Sequence, residues 1–177
     1  RKKFILCDSE VDWSKGDFSN LYCVTYKQNE GSYLAGAVAA IMTTKGEKAN
    51  PEKTIGCIAG GENPIISDFV YGYLQGAQAV EPDVKLALAY AGTFIDSTKG
   101  KELGLAMMGQ QGVDICFQVA SQTGIGVLDA AKELDQYAIG GDGDQESAFR
   151  DSDPAMADVI VTSMMKQVDQ SLLRAVQ

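Results

Sequence analysis

Five short runs of the chain are almost continuously apolar: Thr54–Ala59, Val84–Ala91, Val113–Val119, Tyr137–Gly141 and Val159–Thr162. A strand with one wet face alternates polar and apolar residues, so unbroken runs mark strands covered on both faces. Helical spacing fills the intervals. Pro64 opens a segment with Ile65, Phe69, Tyr73 and Ala77 on one side. Asp96 or Ser97 can cap a segment carrying Leu103, Ala106 and Met107, and Thr123-Gly124 leads into Val127, Leu128, Ala131 and Leu134. Gly31–Thr44 is a predicted helix whose buried face is marked by Tyr33, Leu34, Ala37, Val38 and Ile41. Met164, Met165, Val168, Leu172 and Val176 predict a closing amphipathic helix. This alternation predicts βαβ units and an α/β fold: a doubly wound parallel sheet in three layers.

The first 27 residues break the rhythm. Phe4–Cys7 and Leu21–Tyr26 read as short strands joined by a polar loop that holds the only tryptophan, Trp13. Two parts are therefore expected, residues 1–27 and residues 28–177, the first a remnant of a neighbouring lobe. The opening Arg1-Lys2-Lys3 runs straight into Phe4-Ile5-Leu6-Cys7 without an initiator methionine, which reads as a chain cut from a longer one.

Composition narrows the chemistry. A net charge of −9 argues against nucleic acid as a partner, which calls for a basic face. The absence of histidine removes Ser-His-Asp and Cys-His sites and the commonest metal ligand. Cys7, Cys23, Cys57 and Cys116 form no CxxC pair and sit in strand-like runs, so they read as buried free thiols. No apolar run reaches the roughly 18–20 residues of a membrane span.

Ligands of open parallel sheets bind outside the carboxyl ends of the strands. The segments in that position are Gly60–Asn63, Gly92–Asp96, Ser121–Gly126, Asp142–Gln145 and Ser163 with Lys166, the last expected one turn into a helix. Gly124-Ile125-Gly126 can cradle an anion on backbone N–H groups, or form a tight strand-to-helix turn. It lacks the third glycine of a dinucleotide fingerprint, and no GxxxxGK[ST] phosphate loop exists. Asp142 and Asp144 form a DxD pair that can hold Mg²⁺, work as acid and base, accept sugar hydroxyls, or shape a turn. Asp142 directly ends an apolar run, which puts it at the edge of the sheet. Lys166 can donate to a ligand hydroxyl, pair with Asp142, or be a solvated helix lysine. Phe94 can stack on a flat ring or pack in the core.

Eight segments resemble the basic membrane protein family in the family's own order. Tyr26–Gly36 resembles the stretch ending in E-x-S-[FY]-L-x-G, and Ile55–Gly61 follows. Then come Phe69 with Gly72 and Gly76, Gly92–Asp96 with Lys99–Glu102, and Gly112–Ile115. Thr123–Val127, Ile139–Gln145 and Thr162–Asp169 complete the set, so the resemblance spans about residues 21–176. That family consists of lipid-anchored substrate-binding proteins of ABC importers, purine nucleoside receptors among them. The resemblance implies a type I periplasmic-binding-protein fold of two hinged lobes with ligand in the cleft. This chain would hold the carboxyl-terminal lobe and the last strands of the other.

The same resemblance makes Asp142 and Lys166 the ribose-hydroxyl contacts, with Asp144 the alternative to Asp142, and makes Phe94 a base-stacking position. Ser121-Gln122 stands where the family usually has Gly-Gly, so Ser121 and Gln122 are further candidate contacts. Gly141 stands where the family usually has valine, which loosens the turn before Asp142. Implied partners are a nucleoside and an ABC permease, outside the cytoplasm, with a lipid anchor upstream of this chain and with no cofactor and no metal. One lobe alone predicts weak nucleoside binding and dimerisation through its exposed edges. The alternatives are a ligand-sensing domain of a regulator or receptor with this fold and, third, a nucleotide-dependent enzyme.

Overall fold

The computed structural model describes residues 2–177. They form two compact units, one holding the chain up to Lys27 with Lys166–Gln177, the other Gln28–Met165. Residues 166–177, expected in the larger part, thus group with the first 27.

The larger unit is a parallel five-stranded sheet built from β3 (Thr54–Ala59), β4 (Lys85–Tyr90), β5 (Val113–Val119), β6 (Tyr137–Asp142) and β7 (Ile160–Met165). Their order across the sheet is β4-β3-β5-β6-β7. β3 and β5 are buried along their whole length, as their unbroken apolar runs predict. β4 lies at an edge, and Leu88 and Tyr90 stay partly exposed there.

Alternate strand residues feed two cores. Ile55, Cys57, Ile115 and Phe117 pack with α1 (Gln28–Lys45) and α2 (Pro64–Val80). Ile58, Cys116 and Ala138 pack with α3 (Ser97–Gln110), α4 (Gln122–Glu133) and α6 (Pro154–Val159). The fold is therefore the three-layer α/β arrangement expected. A bulge, where Thr54 pairs Val113 but Ile55 pairs Ile115, inserts Asp114 and lets Val113 and Cys116 share one face. The buried Asp114 accepts the Asn50 backbone N–H at 3.1 Å, and burial pushes its pKa above the usual carboxyl value.

The starts of α2 and α3 have a local cause. Pro64 follows the N-cap Asn63, whose side chain accepts the Ile66 N–H at 3.0 Å, and Asp96 accepts the Lys99 N–H at 3.0 Å. α1 starts three residues earlier than predicted, at Gln28, and buries a different face. Its inward residues are Ser32, Ala35, Gly36, Ala39, Ala40 and Thr43, while Tyr33, Leu34 and Ile41 are exposed. Backbone contact with α2 is the reason. A Cβ at Gly36 would collide with the Tyr73 carbonyl, and one at Gly76 with the Tyr33 carbonyl, so only small residues fit the crossing.

β7 runs through Met165, so Met164 and Met165 are strand residues rather than the start of the closing helix. α7 covers Val168–Val176, and the short α5 (Gln145–Phe149) and α6 lie between β6 and β7. In the smaller unit β1 (Phe4–Cys7) and β2 (Leu21–Val24) pair in parallel. The 8–20 connection that parallel pairing demands carries a 3-10 turn at Trp13–Lys15, capped by Asp12. The Tyr26 and Ser171 hydroxyls meet at 2.8 Å, tying α7 to the end of this pair.

Candidate ligand-binding site

From β3 the chain crosses to β4 at one edge, then returns over β3 to β5. The switch point therefore lies between β3 and β5, and the crevice at their carboxyl ends is where such sheets take ligands. Phe94 stands there. Its ring covers Gly60, where any Cβ would strike it, and lies 3.4 Å from the Cβ position of Gly61. Phe94 keeps 39% of its surface exposed, so it is neither a core residue nor a free one.

Thr123 fixes the Phe94 loop. Its backbone N–H donates to the Phe94 carbonyl at 3.2 Å. Its buried hydroxyl donates to the Thr93 carbonyl at 3.2 Å and accepts the Asp96 N–H at 2.9 Å. Just before it, Ser121 takes a left-handed φ of 51° and Gln122 opens α4; both are exposed on the same rim.

The β6–α5 turn carries the aspartates. Asp142 is the last residue of β6, exposed, with φ 66°, a conformation that aspartate tolerates better than most residues. Asp144 is the N-cap of α5 and accepts the Ser147 N–H at 3.1 Å, which with the Ser147 hydroxyl holds its carboxyl below the usual range. A turn-shaping role is thereby established for Asp144, while Asp142 presents its side chain at the sheet edge. Ser163 is not beyond the fifth strand but inside it, opposite Gly140, and Asp142 lies opposite Met165.

A buried amide network, missed in the sequence, holds this turn. Gln118, a polar residue in the apolar β5, is 2% exposed. Its Nε2 donates to Gln145 Oε1 at 2.7 Å, and its Oε1 accepts the Ala120 N–H at 3.2 Å. Gln145 Oε1 also accepts the Gly141 N–H at 3.0 Å, and the Gln145 N–H donates to Ser163 Oγ at 3.1 Å. Gly124 and Gly140 leave the space that these side chains occupy. A glutamine between Phe117 and Val119, in a strand buried along its whole length, was the available signal.

Lys166 belongs to the smaller unit, in the link between β7 and α7 rather than within a helix. Its side chain is 5% exposed, its Nζ lies 2.6 Å from the Asp8 carboxylate, and it stands 5.6 Å from the centroid of the Tyr26 ring. The solvated-lysine reading is thus excluded. Asp8 resembles Asp142 in place: Asp8 directly follows β1, Asp142 ends β6, and each has a left-handed φ, 57° for Asp8. Asp8 Oδ1 is buried with no hydrogen-bond partner.

The sheet rim thus brings together Phe94, Ser121, Gln122, Asp142 and Asp144, and Lys166 stands on the other unit. A rim is a wall, not a cavity; concavities of about 240 Å³ beside α1 and β7 and about 360 Å³ between α3 and α4 contain none of these residues. Among the described residues no group of three or more Asp, Glu or Cys is placed to hold a metal ion. Among them, too, no helix is long and apolar enough to cross a membrane.

The family model of PnrA-like ABC transporter substrate-binding proteins matches residues 1–175. The chain belongs to this family. Similar curated proteins include the ABC transporter nucleoside-binding protein BmpA of Lactococcus lactis, 34% identical over 95% of this chain and 47% of that protein. A CD4+ T-cell-stimulating antigen of Listeria monocytogenes is 33% identical over 96% and 46%, and basic membrane protein A1 of Borrelia garinii 35% over 87% and 42%. This PnrA-like chain spans about half the length of the curated relatives it matches. An ABC transporter solute-binding protein from Aeropyrum pernix superposes with a TM-score of 0.85 at 30% identity, over 98% of this chain and 47% of that one. A transcriptional activator of the comK gene from Bacillus halodurans shares the fold, with a TM-score of 0.72 at 24% identity over 96% and 51%.

Proposed function

We propose that this protein is the substrate-binding component of an ABC importer and captures a purine nucleoside without transforming it. The observation that carries the reading is the PnrA-like family match over residues 1–175, joined to the nucleoside-binding name of the Lactococcus relative. The residues suit that ligand. Phe94 offers a flat apolar face for a base, and Asp142 offers a carboxylate for the vicinal hydroxyls of a ribose. Lys166, on the smaller unit, offers an amine that suits a ligand hydroxyl, and Ser121 and Gln122 add polar contacts along the rim of the larger unit. Asp144 acts through the turn. The lack of histidine and of a phosphate loop rules out Ser-His-Asp, Cys-His and phosphate-loop chemistry within this chain. A receptor of this kind works outside the cytoplasm, lipid-anchored, and hands its ligand to a permease.

Titration calorimetry of the complete gene product against adenosine, guanosine, inosine, cytidine, uridine and free ribose tests this. Saturable one-to-one binding of a purine nucleoside is expected. Binding of a free sugar with no response to any nucleoside would overturn it.

A further inference from the structure

Asp142 sits in an αL turn on an exposed rim, and nothing about such a turn is rigid by itself. What makes it rigid is buried behind it. Gln145 Oε1 accepts two hydrogen bonds, from Gln118 Nε2 and from the Gly141 N–H next to Asp142. The Gln118 Oε1 in turn holds Ala120, one residue before Ser121. Ser163 on β7 receives the Gln145 N–H and closes the network on the far side. The two rim turns, 120–122 and 141–145, are thus joined through one pair of amides. Gly140 and Gly124 are the cost: a Cβ at Gly140 would meet Ser163 Oγ and Gln145 Oε1, and one at Gly124 would meet Gln118 Oε1. A core packing requirement alone would be met by apolar side chains of the same volume, without three fixed donors at one edge of the sheet.

We infer that Gln118 and Gln145 form a positioning relay that fixes the Asp142 carboxylate for the vicinal ribose hydroxyls and so sets the preference of the site for ribonucleosides over sugars lacking those hydroxyls. The inference rests on the nucleoside reading above. The relay residues touch no ligand. They hold Gly141, and through it Asp142, and they hold the Ser121 turn in register with it. Their loss is therefore felt in hydroxyl recognition and not in base stacking at Phe94.

The test compares affinities of the complete gene product for its preferred purine ribonucleoside and for the 2′,3′-dideoxy form, in Gln145→Leu, Gln118→Leu, the double variant and Ser163→Ala. Each leucine variant should weaken ribonucleoside binding by about tenfold, the worth of one hydrogen bond to a charged group, and leave the dideoxy affinity unchanged. The double variant should be no weaker than the weaker single, because both break one relay. Ser163→Ala keeps the volume and should shift the same ratio in the same direction, which covers the case where leucine prevents folding. An unchanged ratio, or equal loss of both ligands, overturns the relay. Wild-type protein that takes up no nucleoside defeats the nucleoside reading instead. Hydrogen exchange then decides the relay: the Gly141 amide must lose protection in the Gln145 and Gln118 variants while the β3 and β5 amides keep theirs, and undiminished protection at Gly141 contradicts it.

Discussion

At the scale of single residues, two carboxylates of one sheet have opposite situations. Asp142 ends β6 at an exposed position on the sheet edge. Asp114 is buried at a bulge at the start of β5, and loss of solvation raises its pKa, offset in part by the Asn50 N–H. A raised carboxyl pKa means that the folded state holds the proton more tightly than the unfolded state. The stabilising contribution is then full below the ordinary carboxyl pKa of 3.8 and is lost as pH rises through the folded value. Asp114→Asn removes the charge, so thermal unfolding should show a higher Tm than wild type at pH 7 and no advantage near pH 3.5. An Asn variant less stable than wild type at pH 7 would contradict this. Asp142 was legible in the sequence because it terminates an apolar run. The Lys166–Asp8 pair was not, because 158 residues separate its members and no local pattern links them.

At the scale of elements, α1 shows how a hydrophobic pattern misleads. Its large apolar residues Tyr33, Leu34 and Ile41 were read as the buried face, yet the helix turns its small residues inward. The backbone-to-backbone crossing with α2 at Gly36, Gly72 and Gly76 decides the rotation, because there is no room for a larger side chain. Gly→Ala in a helix ordinarily stabilises by up to about 1 kcal/mol. Gly36→Ala should instead destabilise by about 1–3 kcal/mol in urea unfolding, since it overpacks a backbone contact. Gly143→Ala, which meets nothing within 4 Å, and Leu34→Ala, at an exposed position, should both stay within about 0.5 kcal/mol. A tolerated Gly36→Ala with a costly Leu34→Ala would restore the face expected from the sequence. β3 and β5 were legible because burial on both faces leaves a nearly unbroken apolar run. β7 was cut short in the reading because Met164 and Met165 suit a helix equally well, and only pairing with Gly141 and Asp142 reveals them as strand.

At the scale of the whole molecule, the sheet rim of the larger unit supplies one wall of polar and aromatic groups. The smaller unit leaves Phe4, Trp13, Tyr22 and the α7 residues Leu173 and Val176 exposed. Apolar surface of that extent on so few residues favours association. The 177-residue chain expressed alone should therefore elute above monomer mass in light-scattering chromatography and bind nucleosides more weakly than micromolar. A monomer with micromolar affinity would contradict that expectation. Whether Asp142 reads a ribose is decided by one ratio in the complete gene product: affinity for the preferred purine ribonucleoside over its 2′,3′-dideoxy form, in wild type and in Asp142→Asn. Asparagine keeps the αL turn, so folding should be unaffected. A wild-type preference of about tenfold or more, abolished in the variant, is expected for loss of a charged acceptor. A preference of the same size in both proteins would contradict it.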